Sequence, residues 1–207
     1  QRNWIGRSEG ASVNFRIDGH DDTIEVFTTR PDTLFGATFM VLAPEHELVE
    51  KITMPSHKEI VERYVTWAKN RSERDRIAEV NRITGEFTGA YGINPLNDEK
   101  IPIWIADYVL AGYGTGAIMA VPAHDSRDYK FARHFEIPII QVVKKEGEAP
   151  SDPLSWEDSY DAKEGVMINS GFITGMEVQE AIRSTIQKIE ELGVGYGTIN
   201  YRLRDAI

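Results

Sequence analysis

Residues 13–18 (VNFRID) and 23–29 (TIEVFTT) alternate apolar and polar side chains with a period of two, and only GHDD lies between them. That pattern commits this part of the chain to a β-hairpin with one face of each strand turned toward a core. Residues 38–43 (TFMVLA) form a continuous apolar run that ends at Pro44, which reads as a third, buried strand. A helical stretch follows, in which Ser56 and Glu59 have the spacing of a capping box and Ile60, Val61, Tyr64, Val65 and Ala68 share one face. SERDRIAEV, from Ser72, reads as a second short helix.

Residues 85–109 return to strand-like runs, with Asn94-Pro95 and Asn97-Asp98 as turn signals and IPIWIADYV as the strongest strand. Another strand is expected over residues 139–143, followed by the polar, proline-bearing KKEGEAPSDPLSWEDS, which reads as a surface insertion. Thr174 and Glu177 repeat the capping-box spacing. Val178, Ala181, Ile182, Ile186, Ile189 and Leu192 mark the buried face of the helix that Gly193 ends. Strands and helices do not alternate regularly, so a mixed α/β domain is expected, barrel-like or irregular in its sheet rather than doubly wound, with flanking helices.

Composition narrows the function classes. At 207 residues the chain is long enough to bury its own core, and one domain is expected. No apolar run approaches the roughly 20 residues of a membrane helix, and no signal-peptide pattern is present. A soluble protein of the cytoplasm or an organelle matrix is expected. With no cysteine, neither a disulfide framework nor a thiolate metal site is available. A net charge of -10 argues against an extended grip on a nucleic-acid duplex, though not against contact with one strand end. Gln1 in place of Met, and an end at Ile207 just after a strand-like run, point to a piece of something larger.

Four stretches invite chemistry. GYGTG, residues 112–116, lacks both GxGxxG spacing and a following Lys-Ser or Lys-Thr, so a tight turn is the simpler reading. DGHDD, residues 18–22, could tempt a metal argument, but its place between two strands fits a solvated turn. In AHDSRD, residues 123–128, Asp125 suits a helix N-cap and Asp128 the first turn, where the helix dipole favours a carboxylate. A metal site from His124, Asp125 and Asp128 is the weaker functional alternative, and a carboxylate receiving a substrate ammonium the stronger. In TTRPDTLFG, residues 28–36, Pro31 and Asp32 are common turn chemistry, yet three hydroxyls stand beside a guanidinium, a set suited to a polar ligand. No histidine within the motif activates any of them as a nucleophile.

TTRPDTLFG together with GTGAIMAVPAHDSRDYKFA resembles the paired motifs of the editing domain, connective peptide 1, of leucyl-tRNA synthetases. NWIGRSEGA and TINYRLRDAI resemble the segments linking that insertion to the synthetic core, so the likeness runs through the whole chain. It implies a single editing domain over residues 1–207, with 1–11 and 198–207 as links. Related isoleucyl enzymes carry a TTTPWT-like run, and valyl enzymes prefer Glu at the place of Asp32 and a KITPAHDPND-like run; this chain sides with the leucyl type at each. HIGH-like and KMSKS-like signatures are absent, so this chain alone is not expected to charge tRNA.

What the resemblance implies is hydrolysis of the ester joining isoleucine, norvaline or methionine to the terminal adenosine of tRNA(Leu), with water as nucleophile. A pocket separates side chains differing by one methylene by only about 1–3 kcal/mol, so a second, hydrolytic site corrects the mistakes of the first. Carried over by position, Asp128 would hold the substrate ammonium, Thr28 and Thr29 would bind near the ester and ribose, and Arg30 would steady the tRNA end. Thr33 would collide with leucine and spare the correct product. Met119 and Val121 would line the amino-acid pocket, with Tyr113 and Asp125 close by. No metal or cofactor is implied for editing; ATP and Mg belong to the absent synthetic part. The expected partners are the 3′ end of tRNA(Leu) and the rest of the synthetase, the domain being a monomer. Three other readings are open to the sequence: a metal-dependent hydrolase using His124 and Asp125, a non-catalytic interaction module, and a free-standing trans-editing protein.

Overall fold

A computed structural model describes residues 8–79 and 82–199. The hairpin forms as its alternation dictates: β1 (Ser8–Ile17) pairs antiparallel with β2 (Thr23–Thr28), Ala11 opposite Thr28 and Arg16 opposite Thr23. Along its other edge β1 pairs first with β9 (Gly195–Ile199) and then, at Arg16 and Ile17, with β4 (Glu86–Ile93). Of the segments expected to link outward, 8–11 and 198–199 therefore sit in one ladder, while 1–7 and 200–207 lie outside the described residues.

From β4 the sheet continues through β5 (Lys100–Ile105) to β3 (Phe39–Leu42), the one parallel pair among the described residues, and ends at β6 (Ala117–Ala120). The seven-stranded sheet has β2 at one end and β6 at the other, yet these two strands touch. The mixed sheet is thus curled into a barrel-like shape whose hydrogen-bond ladder does not close. β3 reads as unbroken apolar sequence because both of its faces are buried, Met40 and Leu42 in the main core and Phe39 and Val41 in a second cluster behind the sheet.

Helices cover both faces. α2 (Lys58–Lys69) follows α1 (Leu48–Ile52) and turns Val61, Tyr64 and Ala68 into the main core, leaving Ile60 exposed. The expected box at Ser56 is not formed: Pro55–His57 is a 3-10 turn that runs directly into α2, and Ser56 pairs with His57. α3 (Glu73–Ala78) has the capping box instead, between Ser72 and Asp75. Its buried Arg76 donates to the carbonyls of Asp107 and Val109, both at 2.9 Å, and to Glu45. Those bonds bend the chain after β5, which explains why the ladder stops at Ile105 instead of running on to Val109.

α4 (Ser126–Phe135) lies behind the sheet, where Phe131 stacks on Phe39 with ring centroids 5.3 Å apart. The strand expected over residues 139–143 is reduced to β7 (Val143–Lys144), paired with β8 (Val166–Met167). α5 (Val178–Glu191) buries Val178, Ala181, Ile186 and Ile189 but leaves Leu192 exposed. Its cap is Glu177, whose carboxylate accepts from the N–H groups of Gln179 and Glu180; Thr174 accepts from Ser170 and caps nothing. Among the described residues, no helix is long and apolar enough to cross a membrane.

Candidate active site at the seam of the sheet

The two ends of the curled sheet carry the two motifs. β2 delivers Thr28 and Thr29 into a 3-10 turn, Pro31–Gly36, and β6 runs through Val121 and the bend at His124 into α4. Gly10 permits the approach at β2: a Cβ there would stand 2.5 Å from the Thr28 carbonyl oxygen. At the far side of the turn, a Cβ on Gly36 would press on Val142 at 2.9 Å and on Val121 at 3.3 Å. Gly10 thus seats the end of β2 against β1, and Gly36 lets the threonine turn close on Val121 and Val142. Asn94 supports it from below, donating to the carbonyl of Leu34 at 2.9 Å.

Within the turn, the Arg30 guanidinium forms a fork on Asp32, Nε to Oδ1 at 3.0 Å and Nη2 to Oδ2 at 2.8 Å. Asp32 is fully buried, and the Arg30 side chain is 13% exposed. Arg30, expected to steady a tRNA end, gives two of its guanidinium nitrogens to the turn. Thr28 Oγ1 accepts from the Arg30 N–H at 2.9 Å, which leaves its own hydroxyl hydrogen available to a ligand. Thr33, 2% exposed, donates its hydroxyl to the Arg30 carbonyl at 2.7 Å. Thr29 is exposed.

On the other motif, Asp125 caps α4 by accepting from the Asp128 N–H at 3.0 Å, and its side chain stays partly open to solvent. Asp128 turns inward at 4% exposure and accepts from the Val121 N–H at 3.0 Å and from the Tyr108 hydroxyl at 2.8 Å. Burial, then the charge of Asp125, pushes its carboxyl from the usual 3.8 up to about 8, against the two hydrogen bonds that favour ionisation. A buried carboxyl held this high is suited to take a cation: an ammonium beside it would offset the missing hydration and draw it to the carboxylate. Tyr108 itself escaped the sequence reading, since a tyrosine in a strand-like run gives no sign of its partner.

Met119 and Val121 point into the main core beside Leu34 and Ala37, on the same side as the threonine turn. Tyr113 stands apart. It is 65% exposed on the glycine-rich turn and lines a cavity of about 390 Å3 with Tyr108, Leu110, Ile118 and Arg127.

His124, considered above as a metal ligand, has both ring nitrogens engaged. Nδ1 donates to the Tyr160 carbonyl at 2.8 Å, and Nε2 accepts from the N–H groups of Val142 and Val143 at 3.0 and 3.1 Å. Burial, assisted by the nearby charge of Arg30, lowers its pKa from 6.5 to about 4, so the neutral ring ties three segments together. The same bonds explain the short β7, because Val142 and Val143 give their N–H groups to an imidazole rather than to a strand. Among the described residues, no group of three or more His, Asp or Glu side chains is placed to hold a metal ion. DGHDD forms the expected hairpin turn, with Asp22 paired to Lys51 at 2.7 Å.

The family model described as leucyl-tRNA synthetase, editing domain, matches residues 2–190. The chain belongs to the leucyl-tRNA synthetase editing-domain family. It is 59% identical over 207 residues to a leucine–tRNA ligase of Porphyromonas gingivalis and 54% identical over 207 residues to one of Cytophaga hutchinsonii. Both alignments take in 100% of this chain and 22% of the relative, so the chain spans about a fifth of the ligases it matches. Among solved structures, the LeuRS of Agrobacterium radiobacter, in a ternary complex with tRNA and LeuAMS, superposes with a TM-score of 0.72 at 33% identity, over 98% of this chain and 21% of that one. The seam is therefore the candidate editing site of a leucyl-type domain.

Proposed function

We propose that this domain hydrolyses the ester of tRNA(Leu) mischarged with isoleucine, norvaline or methionine, and spares Leu-tRNA(Leu). The observation that supports the reading is the seam, where Val121 lies against Gly36 of the threonine turn and gives its N–H to the buried first-turn aspartate, in a chain of the editing-domain family.

Asp128 receives the substrate's α-ammonium group and orients the ester, with Asp125 at the mouth. The Thr28 and Thr29 hydroxyls hydrogen-bond around the ester and the terminal ribose. Met119 and Val121 line the amino-acid pocket, and Thr33 obstructs leucine. Water attacks the ester carbonyl, and the site contributes position and electrostatics rather than a covalent nucleophile. The reading requires no metal or cofactor, and His124 serves as a staple rather than a base. Partners are the single-stranded 3′ end of tRNA(Leu), contacted beside Tyr113, and the remainder of a leucyl-tRNA synthetase, in the cytoplasm or an organelle matrix. The domain acts as a monomer within that enzyme.

The test is substitution of the gate in a synthetase carrying this domain. Thr33→Ala is expected to hydrolyse Leu-tRNA(Leu), without sensitivity to chelators, and Thr33→Tyr to fill the pocket and stop hydrolysis of every ester. Intact Leu-tRNA(Leu) with Thr33→Ala would remove Thr33 from the role.

A further inference from the structure

Residues 28–33 form a closed set of hydrogen bonds. The Arg30 N–H donates to Thr28 Oγ1, and the Arg30 carbonyl accepts twice from Thr33, from its N–H at 3.0 Å and its hydroxyl at 2.7 Å. The Arg30 guanidinium then closes the set by its fork on Asp32. Among the described residues, Arg30 alone donates to that buried carboxylate, so the pair is mutual: Asp32 has no other partner, and Arg30 has little freedom to leave.

A threonine carries one hydroxyl and one methyl on Cβ. Pinning the hydroxyl selects one rotamer and thereby fixes where the methyl points. In this turn the pin is the carbonyl of Arg30, and the residue bearing it is held at its N–H by Thr28 and at its side chain by Asp32.

We propose that the Arg30–Asp32 ion pair is the latch of amino-acid specificity: it fixes the direction of the Thr33 methyl, making Arg30 and Asp32 positioning residues for discrimination. The inference rests on Thr33 being the gate, as proposed above. Rejection by collision is steep in distance, so a methyl that wanders by a fraction of its own radius stops rejecting.

The experiment uses a synthetase carrying this domain, with Leu-tRNA(Leu) and Ile-tRNA(Leu) as paired substrates. Asp32→Asn keeps the shape but removes the charge and one of the two parallel hydrogen bonds. It is expected to raise Leu-tRNA(Leu) hydrolysis roughly tenfold or more, the scale of discrimination a methyl-sized contact provides, while Ile-tRNA(Leu) hydrolysis stays of the same order. A merely structural defect would lower both rates together and leave their ratio in place. Should Asp32→Asn fold poorly because a buried guanidinium is left over, Arg30→Met with Asp32→Leu removes both charges at similar volume, and the same loss of selectivity is expected. Adding Asp32→Asn to Thr33→Ala should raise Leu-tRNA(Leu) hydrolysis no further, because the two changes disable one device. Leu-tRNA(Leu) that survives both latch variants but is hydrolysed with Thr33→Ala would overturn the latch and leave the gate standing. Leu-tRNA(Leu) that survives Thr33→Ala as well would overturn the gate, and the latch with it. A further rise in the Thr33→Ala background would also overturn the latch, since the ion pair would then act elsewhere.

Discussion

Asp128 shows what burying one carboxyl costs in stability. Its pKa of about 8 in the folded protein lies above the usual 3.8, so between roughly pH 4 and 8 the unfolded chain has lost a proton that the folded chain keeps. Stability therefore falls as pH rises through that window. Asp128→Asn removes the titration but leaves either the Val121 N–H or the Tyr108 hydroxyl without an acceptor. At about 1.4 kcal/mol per pH unit, less the cost of one lost bond, the variant should be roughly 1–3 kcal/mol more stable than the parent at pH 7, an advantage that vanishes by pH 4. Urea denaturation at pH 4 and 7 checks this; a variant less stable at both would contradict the burial account. His124 has the opposite sign. With its pKa lowered to about 4, its contribution is complete above 6.5 and is lost as pH falls toward 4. His124→Gln should abolish a slope of about 1.4 kcal/mol per pH unit between pH 6 and 5, read from the same denaturation curves. At this scale the sequence was only partly legible. Asp125 and Asp128 were readable from helix-end rules, whereas the partners Tyr108, Asn94 and Asp32 are distant in sequence or disguised as ordinary turn chemistry.

Among the elements, legibility followed periodicity. The hairpin β1–β2 and the doubly buried β3 could be read because a period of two and an unbroken apolar run each have one natural home. The ends of elements were misread where a competing bond was out of sight: the 3-10 turn before α2 left Ser56 nothing to cap, and His124 took the N–H groups that would have extended β7. The seam supplies a test at the same scale. Gly10→Ala sets a Cβ 2.5 Å from the Thr28 carbonyl, a backbone atom that cannot swing aside. It should cost roughly 1–3 kcal/mol in stability and displace the exit of β2. Hydrolysis of mischarged tRNA should fall by more than the loss of folded protein explains, as measured by rates normalised to the folded fraction. Normal rates per folded molecule would show that the β1–β2 approach does not position Thr28.

For the whole molecule, the curled sheet joins two motifs about ninety residues apart in sequence, Thr28 on β2 and Met119 on β6. A barrel-like mixed sheet was expected from irregular alternation; that its two ends would meet and bring the two motifs to one seam was not, because strand order depends on pairings no single stretch encodes. The net charge of -10 fits the proposed role, in which the domain takes in a strand end while other parts of a synthetase hold the tRNA body. Its affinity for tRNA by itself should accordingly be weak and only shallowly salt-dependent. The most direct measurement is deacylation of Ile-tRNA(Leu) and Leu-tRNA(Leu), side by side, by a synthetase carrying this domain and by its Asp128→Ala variant. The account predicts loss of the isoleucyl ester, survival of the leucyl ester, and survival of both in the variant. Isoleucyl ester that is stable with the unaltered domain, or lost as fast with Asp128→Ala, would contradict it.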